Sequence, residues 1–211
     1  GQSWDIWVRD LKAIIKLDPE HISAYTLTSE IGTELFKLIK KHEVVMPKDE
    51  QTADWFLKTH EILKTNNYSA YEISNFSKKH YECRHNLHYW NINPFIGYGP
   101  SAHSFDGHNR WSNIKSLDNY LKKIKSFKTT ISFSEILSLE NKINEMIGFG
   151  LRTSLGISTR NIPNSLLDKF KTNLKSALIK WGNYIHVNDD IVKLEAEGLA
   201  YGDAIAIDLM I

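Results

Sequence analysis

Cysteine is nearly absent from this chain: Cys83 is the only one in 211 residues. One thiol excludes an internal disulfide and any CxxC…CxxC metal site, and it favours a reducing, cytoplasmic setting. Neither sign of charge is in excess, with 26 basic and 25 acidic side chains and a formal net charge of +1. The composition therefore gives no reason to expect a polyanionic partner. No apolar run approaches the ~20 residues that a membrane helix needs. The opening "GQSWDIWVRD" lacks the basic region and apolar core of a signal peptide. It reads as a turn and helix cap with nothing before it, as expected of a fragment. Internal repeats and low-complexity tracts are also missing. What is present, 42% hydrophobic and 24% charged residues, is the make-up of a soluble globular protein with a sizeable core.

Ser3 predicts a helix cap, followed by Trp4, Val8, Leu11 and Ile15 at helical spacing and a stop at Pro19. "HISAYTLT" (21–28) and "YSAYEIS" (68–74) read as strands. Between them the pattern predicts a short helix near 33–42 and a longer one from Asp49 to about Thr65. This alternation predicts a βα-type sheet with parallel strands, either open or part of a barrel whose earlier strands lie elsewhere. Residues 83–91 suit a short helix, "NPFIGYGPSAHS" (93–104) a tight bend, and Asp106-Gly107 a hairpin turn. Ser116 caps a helix to about Phe127. From Ser134, Ile136, Ile143, Met146, Ile147 and Leu151 predict one long helix; Leu166, Phe170, Leu174, Leu178 and Trp181 predict another, stopped at Gly182-Asn183. Two short strands about "NDD" and a last helix near 196–210 complete a winged-helix-like pattern. The expected fold class is α/β (α+β), divided into residues 1–115 and 116–211.

Several stretches carry candidate chemistry. On a helix, His85, His88 and Tyr89 of "RHNLHY" project from one side. Neutral imidazole is a good ligand for iron or zinc, and Asn86 or Tyr89 can orient the ring. The plain alternative is a helix that packs Leu87 and Trp90 inward, with wet or hydrogen-bonded histidines. In "GYGPSAH", glycine amides can approach a ligand closely and His103 can touch it; the alternative is an ordinary tight turn. Glu72, Ser74 and Asn75 sit at the C-terminal end of a predicted strand, where βα architectures carry their ligand sites. Cys83 beside Arg84 is a reactive-thiol candidate, with an inert thiol as the alternative. Lys169, Lys171, Lys175 and Lys180 give the winged-helix pattern a basic helix, which raises duplex DNA binding as a competing function. The near-neutral balance argues against a nucleic-acid partner.

Taken together, "GQSWDIWVRDLKAIIKLDPEHISAYTLTSEIGT", "YEISNF", "CRHNLHYWN", "GYGPSAHS" and "GFGLRTSLGI" occur in an order that resembles the HemW family, radical S-adenosylmethionine proteins related to oxygen-independent coproporphyrinogen III oxidase. The resemblance covers essentially the whole chain and is to the C-terminal part of such proteins. It implies the later strands of a partial (β/α) barrel followed by a helical, winged-helix-like domain. It also implies haem as ligand, bound through an HNxxY motif that stands here as His85, Asn86 and Tyr89, with His85 on the iron. Gln2, Ser77 and His103 resemble S-adenosylmethionine contacts of the oxidase relatives. The family's CxxxCxxC segment, which holds a [4Fe–4S] cluster, has no counterpart in these residues; iron–sulfur ligation needs several thiolates. The expected partners are therefore haem or porphyrin, the N-terminal half of the same protein and a haem-accepting protein. The enzymatic alternative is coproporphyrinogen oxidation, in which the cofactor does the difficult chemistry. Two departures stand out: Ser101 replaces the family's usual glycine, which is costly if φ is positive there, and "NFSKKHYEC" lacks the usual Pro-Gly.

Overall fold

The computed structural model describes residues 2–211; Gly1 of the opening motif lies outside them. Helix α1 (Trp4–Leu17) starts where the Ser3 hydroxyl accepts from the Ile6 amide, and it closes at Asp18 in the left-handed conformation. Trp7 Nε1 donates to Thr59 Oγ1 at 2.8 Å. That bond docks α1 on α3 (Asp49–Thr65), which follows the short α2 (Glu34–Lys40). Strand β1 (His21–Ser23) and strands β2 (Ser69–Ala70) and β3 (Asn75–Ser77) form a sheet in the order β1-β3-β2. Leu11, Ile22, Leu63, Tyr68 and Phe76 fill the core between sheet and helices.

Both pairings in this sheet are antiparallel, which corrects the expectation of parallel strands. The chain turns back over residues 71–74, so β3 inserts between β1 and β2 and runs against both. β1 and β2 point the same way but never touch. The helix–strand alternation reported their direction correctly and could not report the strand between them. The predicted strands were also too long: only 21–23 and 69–70 are extended within 21–28 and 68–74.

Helix α4 (Arg84–Trp90) leads into the bend and then into a meander of β4 (His103–Phe105), β5 (Asn109–Asn113) and β6 (Ile131–Ile136), with α5 (Leu117–Lys125) between β5 and β6. The hairpin turn is at Asp106-Gly107, as expected. The Asp106 carboxylate accepts from the His108 and Asn109 amides and from Asn109 Nδ2, which holds its pKa down at about 2. β5 and β6 pair across the expected boundary at 115/116. A second correction lies here: residues 131–136 are a strand, and α6 (Leu139–Gly150) begins only after the Ser138 cap. The register of β5 claims "ISFSEI", which carries β-branched and aromatic residues, before the helical spacing can.

The last third is a three-stranded sheet, β7 (Ile157–Ser158), β9 (Ile191–Leu194) and β8 (Ile185–Asn188), covered by α6, α7 (Asn164–Trp181) and α8 (Gly202–Leu209). This is the expected winged-helix-like arrangement. Ile147, Leu151, Phe170, Val192, Ile205 and Leu209 are fully buried at its centre. No helix among the described residues is long and apolar enough to cross a membrane.

Candidate functional site

A cleft of about 780 Å³ opens between the turn after β2, α4 and the bend, the β4-β5-β6 meander and the end of α6. The turn after β2 supplies its floor, Glu72 to Asn75. One wall comes from α4 (Asn86, Tyr89, Trp90) and the bend (Ile92, Phe95). The opposite wall comes from the meander (His103, Phe105, Arg110, Phe133, Glu135) and from the end of α6 (Phe149, Arg152). The lining combines aromatic rings with convergent polar and charged side chains, a character that suits a small-molecule site. Trp90 meets Phe149 edge-on at 6.0 Å, which joins the α4 wall to the α6 wall. Backbone bonds brace the floor: Glu72 bridges Thr153, and the Ser154 amide donates to the Tyr71 carbonyl at 3.0 Å.

Glu72 is 2% exposed, and its Oε1 has no hydrogen-bond partner among the described residues. Burial pushes its carboxyl pKa up, against the pull of the Asn75 side chain and the backbone amides of 73–75. The side chains beside it are already paired. Tyr71 OH meets His21 Nε2 at 3.0 Å and receives Asn86 Nδ2 at 3.3 Å. Asn75 accepts from Ser23 Oγ and donates to Tyr25 OH at 3.1 Å. Arg110 bonds Glu145 at 2.7 Å and lies 3.9 Å from Glu135; Arg152 bonds Asp203, its Nε at 3.2 Å.

The α4 residues fall as the helical reading requires. Asn86 and Tyr89 line the cleft. His85 is exposed and is not part of the lining; its ring lies edge-on to that of Tyr89 at 4.9 Å and makes no hydrogen bond among the described residues. His88 differs: its Nε2 is tied to the Pro94 carbonyl at 2.8 Å, where it fixes the bend. Tyr89 also packs on Phe95 at 4.7 Å.

The bend carries two backbone constraints. A methyl group on Gly97 would overlap the His103 carbonyl oxygen. Ser101 has φ of 62°, the left-handed region where a Cβ is strained. Replacing Ser101 with glycine is expected to stabilise the fold by about 1 kcal/mol, against the loss from a freer unfolded chain. A thermal melt should then rise by about 2–4 °C. An unchanged or lower melting temperature would mean that the bend relaxes without cost.

Other predicted residues do not converge on the cleft. Gln2 is exposed and bonds Asp10 at 3.2 Å. Ser77 is buried within the first sheet, paired with His21 and Ser69. Only His103 of the three S-adenosylmethionine candidates lines the cavity. The donor set does not fit an iron–sulfur cluster: Cys83 is the single thiol, half-buried, and no group of three or more metal-ligating side chains occurs among the described residues. On α7, Lys180 is paired with Asp208 at 2.7 Å, which removes one cation from the basic helix. Arg110, Phe133, Phe149 and Arg152 were not expected at the site. Each comes from a segment whose own pattern reports only its helix or strand.

The fold is shared with part of a solved structure: coproporphyrinogen III oxidase (HemN) from Escherichia coli, itself a radical SAM enzyme, superposes with a TM-score of 0.75 at 15% identity, over 99% of this chain and 52% of that one. In sequence the chain is HemW-like along its length. It is 28% identical over 209 residues to the heme chaperone HemW of Bacillus subtilis (strain 168), covering 97% of this chain and 55% of that protein. It is 27% identical over 210 residues to the heme chaperone HemW of Mycobacterium tuberculosis (strain CDC 1551 / Oshkosh), covering 100% and 52%. Radical S-adenosyl methionine domain-containing protein 1, mitochondrial, of Danio rerio is 28% identical over 222 residues, covering 97% and 49%. No family model matches the chain. The chain spans about half the length of the curated relatives it matches.

Proposed function

We propose that this chain is the haem-handling part of a HemW-like protein of the cytoplasm, and that it holds haem for transfer to an acceptor protein. His85 supplies the iron ligand, and Tyr89 and Asn86 support the ring. The observation that carries this reading is the state of His85, an exposed residue whose ring lies edge-on to Tyr89 of the cleft lining and makes no hydrogen bond among the described residues. An imidazole in that state can bond iron without first breaking a protein contact. Burial of one apolar porphyrin face against the cleft adds the second part of the affinity. Exposure favours transfer, because a ligand held by an exposed residue can be passed on without unfolding its site. The described residues lack the thiolates that a [4Fe–4S] cluster needs, and His103 is the S-adenosylmethionine candidate that lines the cleft.

Haemin titration tests the assignment. The wild-type chain should give a shifted Soret band. His85→Ala should bind about 10- to 100-fold more weakly, and His88→Ala, whose ring serves the bend, should bind haemin as the wild type does. Equal affinity in His85→Ala and wild type would remove His85 as the ligand.

A further inference from the structure

Glu72 has no role in that reading, although it lies at the centre of the cleft floor. Its carboxyl is almost completely buried, and Oε1 lacks a partner among the described residues. The neighbouring Tyr71 and Asn75 side chains are already engaged with residues of the first sheet and α4. An unpaired acceptor kept in such a place calls for an explanation, and a bound donor supplies one. The cavity states what kind of molecule would carry that donor. Tyr89, Trp90, Phe95 and Phe149 present aromatic rings, which suit a flat conjugated ligand. Arg110 and Arg152 reach the same cavity, and each guanidinium has more N–H groups than its carboxylate partners occupy. Those donors suit carboxylates at the ligand's edge. A tetrapyrrole with propionates has both features.

Haem and the metal-free ring differ at their centre. Iron takes all four pyrrole nitrogens of haem, which leaves no N–H to donate, whereas a metal-free porphyrin keeps two. We propose that Glu72 accepts a ring N–H of a metal-free tetrapyrrole, so that the cleft floor recognises the ring without iron while the exposed His85 recognises the ring with it. This rests on the tetrapyrrole reading given above. Glu72 is then a specificity-determining residue: it favours the metal-free ligand and contributes nothing to haem. Asn86 and Tyr89, shared by the two modes, make them mutually exclusive.

The test is a pair of titrations on the full chain. Protoporphyrin IX is followed by its fluorescence and haemin by its Soret band, in wild type, Glu72→Met, Glu72→Gln and His85→Ala. Far-UV circular dichroism checks that each variant is folded. Glu72→Met removes the acceptor and is expected to weaken protoporphyrin IX binding about tenfold, equivalent to one hydrogen bond, with haemin affinity within about twofold. Glu72→Gln keeps a carbonyl and should lose less, and it carries the test if the methionine variant does not fold. His85→Ala should show the reverse selectivity. Wild-type protoporphyrin IX affinity in Glu72→Met, or an equal loss for haemin, would overturn the role of Glu72. Loss of haemin selectivity for His85 alone would strike the haem reading and leave Glu72 standing.

Discussion

Phe170→Ala is expected to cost about 3–5 kcal/mol of folding stability, the range for truncating a fully buried aromatic ring. Phe170 lies on α7 with no exposed surface, inside the cluster that joins α6, α7, α8 and the β7-β9-β8 sheet. The ring is enclosed by several elements at once, and a close-packed interior relaxes only partly when atoms are removed. A loss this large is a substantial fraction of the stability of an ordinary domain, so the urea midpoint should fall steeply. A loss below about 1 kcal/mol would show that α7 collapses onto the sheet and that the core is loosely packed.

Glu72→Met should have the opposite sign, with a gain of about 1–3 kcal/mol at neutral pH. The variant removes a buried carboxyl with one unpaired oxygen and replaces it with an apolar chain of similar length. The gain depends on pH, and the direction follows from the raised pKa. Glu72 holds its proton more readily in the folded than in the unfolded chain, so the wild type is penalised as pH rises from the ordinary carboxyl range through the raised value. The difference between the variant and wild type should therefore shrink in acid and widen towards neutrality. Asp106 contributes in the other direction. Its pKa of about 2 means that its stabilising bonds persist above the ordinary carboxylate value and are lost as pH falls towards 2. Denaturant midpoints of Glu72→Met and wild type at acid and neutral pH separate the two. A neutral-pH midpoint no higher than that of wild type would mean that Glu72 is already satisfied by protein or water. Greater stability with weaker ligand binding is the expected pattern at a site kept for function.

Local signals in the sequence translated well into structure. Asp49–Thr65, the α4 helix, the Ser116 cap and the Asp106-Gly107 turn each depend on residues within one or two turns of each other. The expected cost at Ser101 also met a positive φ. Pairing was harder, because β3 joins β1 across more than fifty residues and no periodicity records it. β6 was read as helix because its hydrophobic residues continue into α6 at compatible spacing, and only the register with β5 separates the two. Part of the candidate site was legible for the same reason. Asn86 and Tyr89 share one helical turn, and Glu72 was marked by its place on a predicted strand, near the C-terminal end. Arg110 and Arg152 reach the cleft through tertiary packing alone.

The central claim is a bond from the His85 imidazole to haem iron, and chemical rescue tests it most directly. The chain with His85→Gly should bind haemin weakly, and free imidazole should restore the wild-type Soret band by filling the place of the missing ring. A wild-type Soret band in His85→Gly without imidazole would contradict the account, because the iron would then have its ligand from another residue.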